Sequence, residues 1–211
     1  MRILEISALL IVSLVSHTRI LYAQPCGGTL DQHQDVVNQF QGGPLPGWTR
    51  AQTFLVGSTG QLVQIDYHGD RGRPDLYPND TLTIEIRRTV AGVPNESPAG
   101  LLVSRKLPAA PLPPYSNWIA VSFPQGPSVS SGELLALVIS IRQDATTWTG
   151  GQHNIYPAGR AMTRTPNDSS WHIIGSASGE YDYAFRTYVC QVVPVVESTW
   201  GQIKMARQPS R

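Results

Sequence analysis

Hydrophobic and polar positions alternate with a period of two along much of this chain. The cleanest case is residues 81–88, where Leu82, Ile84 and Ile86 fall on one side and Thr83, Glu85 and Arg87 on the other. That is the pattern of a strand with one buried face. Residues 133–141 are apolar on both faces, which predicts a strand in the middle of a sheet. Residues 118–123 alternate again, with Ile119, Val121 and Phe123 on one side. Further strands are expected at 52–56, 61–67, 101–106, 146–149, 171–174 and 182–189. Turn chemistry separates them: Gly57 to Gly60, Asp70 to Pro74, Pro94-Asn95, Gly126-Pro127 and Pro166 to Asp168. Before the tail, no stretch keeps a 3.6-residue period over three turns.

Many short strands joined by turns read as a sandwich or barrel. Residues 108–114 are proline-rich and predict an extended surface crossover. Such a long crossover favours non-sequential connections over a meander. The expected fold is therefore all-β, a two-sheet β-sandwich of jelly-roll type. Glycine (19) and proline (17) are spread between strongly apolar runs, which fits frequent turns and not disorder.

The first 23 residues read differently. Met1-Arg2 is a short positive start, and Ile3 to Ser16 is apolar apart from Glu5 and three serines. The run is shorter than the roughly 20 residues that span a bilayer. Cleavage after Ala23 fits a secretory leader. The expected organisation is a leader over 1–23, a sandwich over 24–191 and a tail over 192–211. No second membrane segment is expected after cleavage, and the location is extracellular or in the cell envelope.

The chain has 211 residues, with 16 Lys plus Arg and 15 Asp plus Glu. The leader holds Arg2, Arg19 and Glu5, which leaves 14 of each sign and no net charge. That argues against a nucleic-acid partner, where a basic face supplies most of the affinity. The two cysteines, Cys26 and Cys190, flank the expected sandwich. An oxidising compartment permits a bridge between them, and the ends of compact domains lie close together. The alternative is two unrelated thiols.

The order of several short motifs resembles a family. Arg50-Ala-Gln-Thr-Phe-Leu-Val-Gly57, Gly60-Gln-Leu-Val-Gln-Ile-Asp66 and Leu82-Thr-Ile-Glu-Ile-Arg87 open it. Val93-Pro94, Trp148, Tyr156-Pro-Ala-Gly-Arg160 and Trp171 follow, and Asp182-Tyr-Ala-Phe-Arg-Thr-Tyr-Val189 closes it. From about Leu30 to Val189 the chain looks like the exported bacterial jelly-roll modules called choice-of-anchor domains. The resemblance implies fold and export, with no assigned activity. The membrane helix and basic cluster of sorting tails are absent here. The ending Ser198-Thr-Trp-Gly-Gln-Ile-Lys204 looks like short tails on some exported bacterial proteins.

Aromatic residues are the main functional lead. Trp148, Tyr156 and Trp171 lie in a glycine-rich region with Arg160, and sugar sites combine stacking rings with convergent polar groups. Carbohydrate or another cell-surface component is the expected ligand, with no catalysis and no resident cofactor. The competing explanation is that the tryptophans pack inside the sandwich. Two other functions compete: a structural or adhesive envelope protein, and a glycan hydrolase using Glu180 and Asp182. The pair falls on one face of a strand, but retaining hydrolysis needs two carboxyls about 5 Å apart. The position where laminarinase-type sandwich glycosidases carry the acid/base is Phe185. Asp66, Asp70, Asp75 and Asp80 could offer Ca²⁺ oxygen ligands, but Arg71 and Arg73 interrupt them. His33, His68, His153 and His172 stand singly, so no metal site is expected from them. No nucleophile elbow or zinc-protease motif occurs.

Overall fold

The structure is a computed structural model that describes residues 26–42, 47–72, 79–141, 146–176 and 179–191. The expected leader and tail therefore lie outside the described residues. In chain order the strands are β1 (Thr29–Gln34), β2 (Phe40–Gly42), β3 (Thr49–Leu55), β4 (Gly60–Gly69), β5 (Thr81–Val90), β6 (Val93–Pro94), β7 (Leu101–Pro108) and β8 (Asn117–Ser122). They continue as β9 (Ser128–Val129), β10 (Leu134–Ile141), β11 (Trp148–Gln152), β12 (Ala161–Arg164), β13 (His172–Ile173), β14 (Gly175–Ser176), β15 (Gly179–Tyr183) and β16 (Phe185–Cys190). No α-helix occurs among the described residues, and no described helix is long and apolar enough to cross a membrane.

The strands form a β-sandwich. A five-stranded sheet runs β1-β16-β4-β8, with β9 also on β4; a seven-stranded sheet runs β13-β12-β3-β10-β5-β6, with β7 on β5. A smaller sheet, β14-β15-β11-β2, adjoins them. All pairings are antiparallel. The chain changes sheets between β3 and β4, β4 and β5, β7 and β8, and β9 and β10, which gives the non-sequential, jelly-roll-like order that was expected.

The alternation read from the sequence is the packing. Leu82, Ile84 and Ile86 are fully buried between the sheets, in one core with Phe54 of their own sheet and Ile65, Tyr67, Val121 and Phe185 of the other. Strand β10 sits between β3 and β5, as its two apolar faces predict. Its outer face is covered too: Ala136 and Val138 join Ala51 and Met162 in a second apolar cluster, capped by Val93 and Trp171.

Two expectations are corrected, and one strand had no signal in the sequence. The 108–114 segment is not extended: it turns, with Leu112 N donating to Ala109 O at 3.0 Å, and buries Ala109 and Leu112. An apolar side chain in a crossover gains more against the core than in water. The last strand is split at Ala184 into β15 and β16, because the chain passes there from the small sheet to the five-stranded one. Strand β1, Thr-Leu-Asp-Gln-His-Gln, carries no apolar alternation; pairing with β16 makes it a strand, a case of context overriding propensity. Cys26 and Cys190 are disulfide-bonded across a sequence separation of 164, their Cα atoms 5.8 Å apart.

Candidate functional site

The four residues singled out for sugar binding do not form one surface. Trp148 is 2% exposed. Its ring stacks on Tyr183 at 4.3 Å, and its Nε1 donates to Ala184 O at 2.8 Å. Tyr156 is buried, donating its hydroxyl to Gln32 Oε1 at 3.0 Å and accepting from Leu55 N at 3.2 Å. Arg160 is exposed on the turn after Tyr156 and lies 3.9 Å from Glu180. Trp171 is half-buried on the outer face of the seven-stranded sheet, where Arg164 lies over its ring at 5.3 Å and Glu96 accepts from its Nε1 at 3.0 Å. Trp148 thus lies in the interior core and Trp171 against the separate cluster on an outer face. Interior packing, weighed against binding for both tryptophans, is what Trp148 does.

The carboxylate pair is also divided. Asp182 is fully buried, with Oδ1 accepting from Gln52 Nε2 at 3.1 Å and Oδ2 from Tyr156 N at 2.9 Å. Burial is the main cause that pushes its carboxyl above the usual range, and Glu180 adds to it. Gln52 passes the network on by accepting from Tyr183 N at 2.7 Å. Asp182 therefore anchors a buried polar network that sets the Tyr156 turn. Of the four aspartates weighed for calcium, Asp75 lies outside the described residues. Asp66 accepts from Gln64 and Tyr188, Asp70 from Ser116, and Asp80 from Thr81. No group of three or more His, Cys, Asp or Glu suited to a metal occurs among the described residues.

The concentration of aromatic and polar groups lies elsewhere, on the outer face of the five-stranded sheet. With Ile65, Tyr67, Ile119, Val121, Phe185, Thr187 and Val189 turned inward, the alternate positions face away. They form cross-strand rows: Trp118 beside His68, then Ala120–Asp66–Arg186, then Ser122–Gln64–Tyr188. Such directly opposed side chains lie within contact range. The Arg186 guanidinium sits 3.9 Å over the Trp118 ring, and His68 meets the same ring edge-on at 5.2 Å. Arg186 Nε also donates to Asp35 at 2.9 Å. Asp66 accepts from Tyr188 Oη at 2.9 Å and Gln64 Nε2 at 2.8 Å.

The electrostatics follow from these contacts. Burial, and then the Arg186 charge, hold the His68 imidazole below its ordinary 6.5, while Asp70 pulls the other way. The hydrogen bond to Asp35 holds Arg186 firmly charged. Burial and the bond to Asp66 raise Tyr188, so it stays a donor. The result is a platform with an indole, a phenol, a guanidinium and a carboxamide fixed on three neighbouring strands. Its groups were visible as the positions between the inward residues of 61–67, 118–123 and 182–189. Nothing local in the sequence marks them as a cluster, because a sheet face gathers residues from distant strands. Neither the family models nor the curated proteins compared with this chain match it.

Proposed function

We propose that this protein is an exported, non-catalytic β-sandwich module that binds carbohydrate at a cell surface, using the Trp118 face of the five-stranded sheet. The carrying observation is Trp118 held between His68 and Arg186, beside the Asp66–Gln64–Tyr188 row. Sugars present apolar ring faces and hydroxyl edges, so an aromatic platform ringed by fixed polar groups suits them. The leader pattern of 1–23 and the disulfide support export, since disulfides persist in oxidising compartments. The resemblance to choice-of-anchor modules points the same way.

A glycan array and a polysaccharide pull-down of the purified protein test this. Binding should fall at least tenfold in Trp118→Ala and stay unchanged in Trp171→Ala, on the opposite sheet. Binding that ignores Trp118→Ala and Arg186→Ala would move the site off this face. A second reading, a structural spacer in the envelope, is favoured by the burial of Trp148 and Tyr156. It predicts no glycan binding at all.

A further inference from the structure

The Trp118 face does not end at Gln64. Strand β4 carries an irregularity there, with Gln64 opposite Tyr188 and Leu62 opposite Val189, so the pairing skips Val63. Gln61 and Val63 are half-buried while Leu62 is in the core. The segment from Cys26 to Gly28 passes over this stretch: a Cβ on Gly28 would come 2.7 Å from Val63 Cγ2 and 3.0 Å from Tyr188 Cβ. A groove of about 540 Å³ results, with Cys26 and Gly27 on one side, Ser122 and Pro124 on the other, and Gln61 and Gln64 between. The disulfide to Cys190, itself paired with Gln61, holds the first wall in place.

Charge decides what fits. On the platform, Arg186 is paired with Asp35, and Asp66 with Tyr188 and Gln64. The residues lining the groove are amide, hydroxyl and apolar, and Cys26 among them is held in the disulfide and carries no titratable thiol. A charged ligand would be desolvated there without a counter-charge, which is unfavourable. Hydroxyl groups can exchange hydrogen bonds with carboxamides, and sugar ring faces can rest on Val63 and Pro124. From His68 to Gln61 the strand rises about 20 Å, several sugar rings and not one.

Resting on the proposed carbohydrate reading, we infer that the ligand is the uncharged interior of a polysaccharide chain. It lies along β4 from Trp118 and His68 to the groove beside Gln61. Calorimetric titration of the intact protein with gluco-, xylo- and manno-oligosaccharides of one to six units, and with uronic-acid oligomers, tests this. For one neutral series, affinity should rise by about fivefold or more from dimer to hexamer, the worth of one further hydrogen-bonded subsite. Gly27→Tyr, on a groove wall where an added side chain meets nothing within 4 Å, and Gln61→Ala should each remove that rise and spare the dimer. Thermal melting confirms that both variants fold. Equal affinity at all lengths, or preference for the uronates, overturns the inference while Trp118 dependence survives. Binding indifferent to Trp118→Ala takes the site off this face and overturns the inference with it, and no binding at all removes the carbohydrate reading itself.

Discussion

Trp148 has Tyr183 stacked on its face, Tyr67 edge-on at 6.2 Å and Ala184 O on its indole nitrogen. Truncating it leaves a large void and takes from Ala184 O the shorter of its two hydrogen bonds, leaving the one from His68 N. Trp148→Ala should destabilise the fold by about 3–5 kcal/mol in denaturant unfolding. His68 gives a pH dependence. Its native value lies below the ordinary 6.5, so the unfolded chain takes up the proton more readily. Stability from this group is full above 6.5 and declines as pH falls through the native value. Denaturation midpoints at pH 7.5 and 5.5 should differ less in His68→Gln than in the parent. At this scale the sequence was only partly legible. Residue type marked Trp148 and Tyr156 as important but could not say whether they faced a ligand or the core. That depended on Tyr183 and Asp182, which meet them only in space. The Trp118 platform was hidden for the same reason, with contributions from β4, β8 and β16.

At the level of elements, alternation was a reliable guide wherever one face met the core. It located β5, β8 and β10 and their inward residues. It failed for β1 and β12, which are short or polar and owe their conformation to neighbouring strands. Turns offer sharper tests. Ala91 and Gly92 join β5 to β6 with φ of 51° and 79°, the left-handed pair that a two-residue hairpin requires. Alanine is poor in that conformation and asparagine is favoured. Ala91→Asn should add about 0.5–1 kcal/mol, which for a domain this size raises the melting temperature by about 2–4 °C per kcal/mol. The opposite holds at Gly159, in the turn after Tyr156, where a Cβ would stand 1.8 Å from Thr53 O. Gly159→Ala must push the turn off β3 and should lower stability by about 1–3 kcal/mol in the same measurement.

Over the whole molecule, the sandwich followed from many short strands and their separators, because two stacked layers are the arrangement that buries alternate residues of all of them. Strand order was not legible, since pairing across long sequence gaps leaves no local mark. The cysteines supplied the one long-range link that could be anticipated. Removing it in Cys26→Ser/Cys190→Ser should lower unfolding free energy by about 5 kcal/mol on the chain-entropy account, read from the shift in denaturant midpoint.

Strand β1 has consequences for synthesis as well. Among the described strands it pairs only with β16, the last of them in chain order. The first of the described strands must therefore wait, unpaired, until the last of them has emerged. A sticky, valine-rich segment would be hazardous during that interval. Thr29-Leu-Asp-Gln-His-Gln34, with its single aliphatic residue, can linger in water without recruiting strangers, and it closes the sheet last.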